Sequence, residues 1–149
     1  MSARETALAA LLANLTASAA ARPAPKPVVL RNETYPQALP PGGLVVLRDG
    51  ESALAEAIMS PLRWHIEHEA QVEVVVAGNT AAARAAALDA LLVALAAGIA
   101  ANRTLGGAVE YAQPGPADLE DVEFEGAAPL RAARFSVTLQ FSAAETPLS

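Results

Sequence analysis

The pattern of apolar residues at the start of the chain predicts an N-terminal helix over residues 1–21. Ser2 and Glu5 have the spacing of a capping box, in which a hydroxyl and a carboxylate satisfy the first helical amides. The leucines that follow recur every three or four residues, which is the spacing of one helix face: Leu8, Leu11, Leu12 and Leu15. Three prolines in residues 22–27 end the helix, and we interpret this segment as a stiff proline-rich linker.

The next segments predict short strands and a hairpin. Residues 28–31 and 44–48 have strand-like composition, and prolines and glycines between them indicate a loop over residues 32–43. Asp49-Gly50 is a favoured dipeptide of two-residue hairpin turns. Residues 51–60 are therefore expected to return as the second strand of a hairpin, with Pro61 bending the chain.

Residues 62–77 alternate with a period of two, which predicts a long antiparallel strand with one buried face. The buried face carries Trp64, Ile66, His68, Ala70, Val72, Val74 and Val76. The other face carries His65, Glu67, Glu69, Gln71 and Glu73.

A second helix is predicted after Gly78-Asn79, which can end a strand and cap a helix. Its apolar stripe consists of Leu88, Leu91, Leu92, Leu95 and Ile99. Asn102 and Gly106-Gly107 are expected to end it, the glycines supplying positive φ. Residues 85–101 are short for a membrane span and contain Asp89, so a buried helix is favoured.

The remaining segments complete a sheet. Strands are predicted at residues 109–112, at 119–125 as an acidic edge strand, and through the alternating Phe135, Val137, Leu139 and Phe141, with a loop at residues 114–116. The order of elements predicts one domain over residues 1–149. Its class is α+β, with the N-terminal helix first and a mainly antiparallel sheet packed against two helices.

Composition and charge argue against several classes of function and of binding site. Alanine makes up much of the 53% apolar content, so close packing and the larger leucines and valines must supply the core. A net charge of −6 argues against nucleic-acid binding. The absence of cysteine excludes disulfides and thiolate sites. Residues 7–21 end in small residues like a signal peptide, but Glu5, Asn14 and Thr16 argue against one.

One string invites a catalytic or metal-binding interpretation, His65-Ile66-Glu67-His68. On a strand, His65 and Glu67 face one way and His68 the other, so the histidines cannot share an ion. The acidic residues Asp118, Glu120, Asp121, Glu123 and Glu125 lack the spacing of a calcium loop. We find no nucleophile elbow. The sequence thus predicts no metal, no cofactor and no enzyme activity.

The ordered segments resemble the tail terminator (tail completion) proteins of long-tailed phages and phage-derived gene transfer agents. The similar pieces run in order from about Val28 to the chain end: residues 48–50 (RDG), 61–74 (PLRWHIEHEAQVEV), 88–92 (LDALL), 103–107 (RTLGG), 133–137 (ARFSV) and 147–149 (PLS). The resemblance implies a hexameric ring on the head-proximal end of a tail tube. Such a ring stops tube growth and offers a surface to a neck or head-completion protein.

This resemblance implies a location in the virion or particle tail, and in the bacterial cytoplasm during assembly. Six copies carry six times −6, or −36, so DNA is expected to pass through the lumen without specific binding. The expected contacts with neighbouring subunits or the tube involve Asp49, Gly50, Asp118, Leu119, Glu120 and Asp121.

Three alternatives stay open on the residues alone. The chain could be another neck or head–tail connector or a tail tube component, since a tube protein polymerises where a terminator stops at a closed ring. It could be a metal-dependent hydrolase that uses His65, Glu67 or His68. A secreted or membrane-anchored protein would require processing near Ala21.

Overall fold

The computed structural model describes residues 1–34, 38–122 and 128–149. A six-stranded sheet carries two α-helices on one face, which confirms the predicted α+β class. The helices are α1 (Ala3–Ala20) and α2 (Ala81–Ala101), and the strands are β1 (Val28–Arg31), β2 (Leu44–Ile58), β3 (Arg63–Ala77), β4 (Tyr111–Pro114), β5 (Asp118–Val122) and β6 (Leu130–Ala144). The strand order is β1-β2-β3-β6-β4, and β5 also pairs with β6. Of the pairings between these described strands, β1–β2 alone is parallel.

The core lies between the helices and the sheet, where the predicted apolar faces meet. Ser2 caps α1 as expected, its hydroxyl accepting from the amide of Glu5 at 3.1 Å. The helices bury Leu8, Leu11, Leu15, Leu88, Leu91, Leu95 and Ile99, while Leu12 and Leu92 are partly buried. The sheet contributes the inner faces of β3 and β6, including Ile66, Val72, Val74, Phe135, Val137, Leu139 and Phe141. The periodicity of apolar residues that was predicted for α1, α2, β3 and β6 is therefore confirmed.

The two helices approach closely at Gly98. A Cβ atom placed on Gly98 would lie 2.0 Å from Ser18 Oγ and 3.3 Å from Ser18 Cβ. Asn14 Nδ2 donates to the carbonyl of Gly98 at 3.1 Å and ties the helices together at the same point. The small residue therefore sets the distance between α1 and α2.

Replacing Gly98 with valine is expected to lower the free energy of unfolding by about 2 kcal/mol, because overpacking must push the helices apart. The matched control is Ala97→Val, which adds bulk on the exposed neighbouring position and should cost only about 0.5 kcal/mol of helix propensity. Urea unfolding of both variants measures the difference. Equal effects would show that Gly98 does not set the helix spacing.

The interpretation of Asp49-Gly50 as a hairpin turn is wrong. Residues 44–58 form one continuous strand, and the chain reverses at residues 59–62 instead. At Asp49-Gly50 two residues of β2 stand opposite one residue of β3, which is a β-bulge, and Ala53 makes a second irregularity. Gly50 has φ of +69°. Hairpin turns and bulges both require a residue with positive φ, so the dipeptide is compatible with either. Residues 51–58 therefore continue the same strand and do not return.

Three other boundaries differ from the expectations. Thr80, and not Gly78-Asn79, caps α2, its hydroxyl accepting from the amide of Ala83. Strand β4 begins two residues later than predicted, because the amide of Val109 is still bonded to the carbonyl of Thr104. Pro114 ends β4 and does not begin the loop.

The acidic edge strand is present as β5, and residues 123–125 of that prediction lie outside the described part of the chain. Gly106 and Gly107 have positive φ as expected.

The prediction that α2 is a buried helix is correct for only one side of it. The opposite side is exposed and carries mostly alanine, together with Asp89 and Val93, the latter 60% exposed. By length and composition α2 could cross a membrane, and in the described residues it is the one helix that meets this test. In the fold, its leucines pack on β3, β6 and α1.

Candidate functional site

The main exposed feature of the molecule is the extension formed by residues 51–62, which we call the arm. It comprises the second half of β2 and the turn into β3, and all of its residues are exposed. Four of them are large and apolar, between 44% and 71% exposed: Leu54, Ile58, Met59 and Leu62. A group of this kind is a typical contact surface, since single chains seldom leave several large apolar side chains together in water.

The arm also has an open backbone edge. Strand β1 pairs only with Leu44–Leu47, and the last bond of that ladder runs from the amide of Asn32 to the carbonyl of Leu47. On its other side, β2 pairs with β3 as far as Ile58. Among the described residues, no strand pairs with the outer edge of residues 51–58. Open edges are usually covered, twisted or charged, because they pair readily with other strands.

Charge is concentrated on one face of the arm and of the adjoining part of β3. Glu51 lies directly opposite Glu69, and Leu54 opposite Glu67, on the face turned away from the helices. Glu56 lies opposite His65 on the same face. Residues 51–69 contain four glutamates and one arginine, a net charge of −3 with histidine neutral. The arm thus combines apolar side chains with negative charge.

A buried histidine fixes the base of the arm at the bulge. His68 is 2% exposed, its Nε2 lies 2.5 Å from the carbonyl oxygen of Asp49, and its Nδ1 lies 3.1 Å from Ser52 Oγ. A carbonyl oxygen only accepts, so Nε2–H is the donor to Asp49, and Nδ1 shares the second hydrogen bond with the Ser52 hydroxyl. His68 therefore bonds β2 on both sides of Gly50. Its burial agrees with the structural role inferred from the sequence.

A second set of polar contacts ties the bulge to α1 and β1. The guanidinium of Arg31 donates to both carboxylate oxygens of Glu5, at 2.7 and 2.9 Å, and to Asp49 Oδ1 at 2.8 Å. The amide of Asp49 also donates to Asn32 Oδ1. Hydrogen bonds from Arg31 lower the pKa of Glu5 and of Asp49 below their ordinary values of 4.5 and 3.8. The same two carboxylates raise the pKa of Arg31.

These lowered pKa values predict an acid-sensitive tie between α1 and the sheet. Each carboxylate stabilises the fold above its unfolded pKa, and that contribution is lost as pH falls through the lower folded value. We therefore expect Arg31→Gln to destabilise the protein near neutral pH, with the difference from the native chain shrinking between about pH 5 and pH 3. Urea unfolding across this range measures it. Arg131→Gln, which removes an exposed pair with Asp121 at 2.9 Å, is the matched control and should have little effect.

The six residues expected at assembly contacts occupy two separate places. Asp49 and Gly50 lie in the bulge at the base of the arm, where Asp49 is engaged with Arg31 and Asn32. Asp118, Leu119, Glu120 and Asp121 lie on β5, at the opposite edge of the sheet. Leu119 is 54% exposed there, whereas Asp121 pairs with Arg131. The structure does not bring the two sets together within one chain.

The two histidines face opposite sides of the sheet. His65 Nδ1 lies 3.5 Å from Glu110 Oε2 on the outer face of the sheet. His68 lies on the opposite face, which packs against the core, and its side chain is buried. Within residues 1–34, 38–122 and 128–149, no group of three or more histidine, aspartate or glutamate side chains is placed to hold a metal ion. Two small clefts, one beside the linker and one at Asp118–Glu120 and Arg134, are not lined by His65, Ser52 or His68.

The sequence interpretation missed the residues that make the arm distinctive. Ser52 and Arg31 were not singled out, because their partners are 16 to 26 positions away in the chain. The apolar residues Leu54, Ile58 and Met59 sit among alanines and resemble an ordinary strand. Only the strand order shows that nothing in the described chain covers them.

Comparisons with known proteins do not assign the chain to a family. No family profile matches the sequence, and no curated protein matches it significantly.

Proposed function

We propose that the chain is a tail terminator, a non-enzymatic subunit that forms a ring on the head-proximal end of a phage-like tail tube. The observation that carries the proposal is the arm, whose exposed apolar side chains and open strand edge form a surface suited to contact with other protein subunits. The ordered similarity of the sequence segments to tail terminator proteins supplies the particular role.

A contact surface of this kind suits an assembly protein better than an enzyme. The polar side chains at the base of the arm bond within the fold: the buried His68 bonds to Asp49 and Ser52, and the partly buried Arg31 bonds to Glu5 and Asp49. In this proposal the ring ends tube polymerisation and presents a joining surface to a neck or head-completion protein. Its net negative charge lets DNA pass through the lumen without binding.

Electron microscopy of the purified protein, alone and mixed with tail tubes, tests the proposal. We expect closed rings of one size in the first sample, hexamers if the resemblance holds, and rings at one end of each tube in the second. Adding the protein during tube growth should shorten the tubes. Open-ended polymers would instead indicate a tube component, because a subunit whose contacts do not close continues to add copies.

A ring that binds neither tube end would indicate another neck or connector component. Zinc bound in stoichiometric amount, with a hydrolytic activity lost in a His65→Ala variant that still folds, would overturn the assembly role. His65 is the informative position because its side chain lies at the surface, 24% exposed, and not in the core.

A further inference from the structure

The end of the molecule opposite the arm carries a small cleft between the linker and α2. It has a volume of about 200 Å³, and the residues that line it include Pro23, Pro25, Pro27, Pro41 and Leu91, with Arg22 at its side. Pockets for small ligands usually measure about 300–1,000 Å³. A cleft of this smaller size suits a protein side chain.

The walls of this cleft are firmly built. A Cβ atom on Gly42 would lie 2.3 Å from the carbonyl oxygen of Lys26, so the linker and the loop before β2 pack backbone against backbone. The amide of Val28 donates to the carbonyl of Gly43 at 3.0 Å and closes the same contact. The cleft is therefore formed within the single chain.

The surroundings of the cleft are positively charged. Arg22 and Lys26 lie in the linker, and residues 22–31 contain no carboxylate. Arg84 lies one helical turn before Ala87, a lining residue, and its Nη1 donates to the carbonyl of Gly78. The arm is opposite in sign, because residues 51–62 contain Glu51 and Glu56 and no lysine or arginine. The two surfaces are thus complementary in charge, and each also carries apolar residues.

One chain cannot bring these two surfaces together. The arm adjoins Arg63 at the start of β3, whereas Val76 and Ala77 at its end line the cleft. The 14 steps between Arg63 and Ala77 span about 45 Å of extended strand. Strand β3 is paired along this length with β6, so it cannot fold back.

We propose that the arm of one copy docks in the linker cleft of the next copy, with Ile58 or Met59 filling the cleft and Glu56, two residues from Ile58, facing Arg22 and Lys26. Because the two surfaces differ, the contact is head-to-tail, and repeating it gives either a closed ring or an open filament. The inference deepens the proposed function by naming the contact between subunits, and it rests on that function only for ring closure.

Charge reversal tests the contact. We expect Glu56→Lys and, separately, Arg22→Glu/Lys26→Glu to weaken self-association by at least about tenfold in sedimentation measurements. Mixing the two variants should restore assembly, because each altered arm then meets a complementary cleft. Glu120→Lys makes the same change of charge on β5 and should leave association through the arm intact. Loss of assembly only in the β5 variant, or no rescue on mixing, would overturn the proposal.

Cross-linking gives a second readout, because the chain contains no cysteine. Met59→Cys mixed with Ala87→Cys should form a disulfide between two chains, whereas Met59→Cys mixed with Leu119→Cys should not. Equal cross-linking in both mixtures would overturn the contact. Rings that persist in all charge variants would refute this contact and leave the terminator role standing. Head-to-tail association through arm and cleft without capping of tubes would support this contact and refute the terminator role.

Discussion

Replacing Gly50 with alanine is expected to lower the free energy of unfolding by about 2–5 kcal/mol, because two costs add at this position. With φ of +69°, Gly50 has a left-handed backbone conformation that other residues adopt at a cost. A Cβ atom would also lie 1.8 Å from the carbonyl oxygen of Glu69 and 3.0 Å from the Cα of Ala70. Backbone atoms of a paired strand cannot turn aside as a side chain can. Chemical unfolding monitored by circular dichroism measures the loss.

Gly106→Ala is the matched control for this variant. Gly106 has a similar φ of +73°, but a Cβ atom there would meet nothing within 4 Å. It should therefore show only the conformational cost, about 1–2 kcal/mol. The difference between the two variants isolates the contact with β3. If both lose the same stability, the bulge accommodates a side chain and the close approach at Glu69 is not a constraint.

Replacing His68 with alanine is expected to destabilise the protein by about 2–4 kcal/mol, through the loss of packing and of two hydrogen bonds. The side chain is 2% exposed and bonds to Asp49 and Ser52, and its ring also lies near that of Phe141, at a centroid distance of 6.5 Å. The variant leaves a cavity and an unsatisfied carbonyl at the bulge. Thermal and urea unfolding should both show the effect.

The companion variant His65→Ala removes the neighbouring histidine on the outer face. Its contact with Glu110, at 3.5 Å, is a surface interaction, so the expected cost is below about 1 kcal/mol. Metal analysis of both variants completes the experiment. Comparable loss of a bound metal in the two would contradict their placement on opposite faces of β3, whereas a stability loss confined to His68→Ala supports it.

The periodic segments were predictable because their physics is local. The alternation through Trp64 and Val76, and the leucine spacing in both helices, follow from burying one face of a regular element. Asp49-Gly50 was misinterpreted for an equally local reason, since a turn and a bulge make the same demand on glycine. The choice between them depends on whether β3 pairs with residues 51–58, and that pairing is a property of the whole sheet.

The candidate site was harder to predict because it depends on which neighbouring strands fail to cover a segment. The order of the apolar and polar residues in the arm suits a covered strand, and its exposure follows from β1 ending opposite Leu47. The linker cleft likewise joins residues from four places in the chain. The sequence did indicate the placement of His68 on the buried face and the acidic character of β5.

The unbroken pairing of β3 with β6, over 15 residues without a register shift, has a mechanical consequence. A long strand hydrogen-bonded along its length resists bending, so the two ends of the molecule move as one rigid lever. If neighbouring copies join through these ends, the tilt from one copy to the next must come from the angle at which the arm enters the cleft. Curvature of the backbone would not supply it. The circumference of a closed assembly would then be set by a few contacts at the joint.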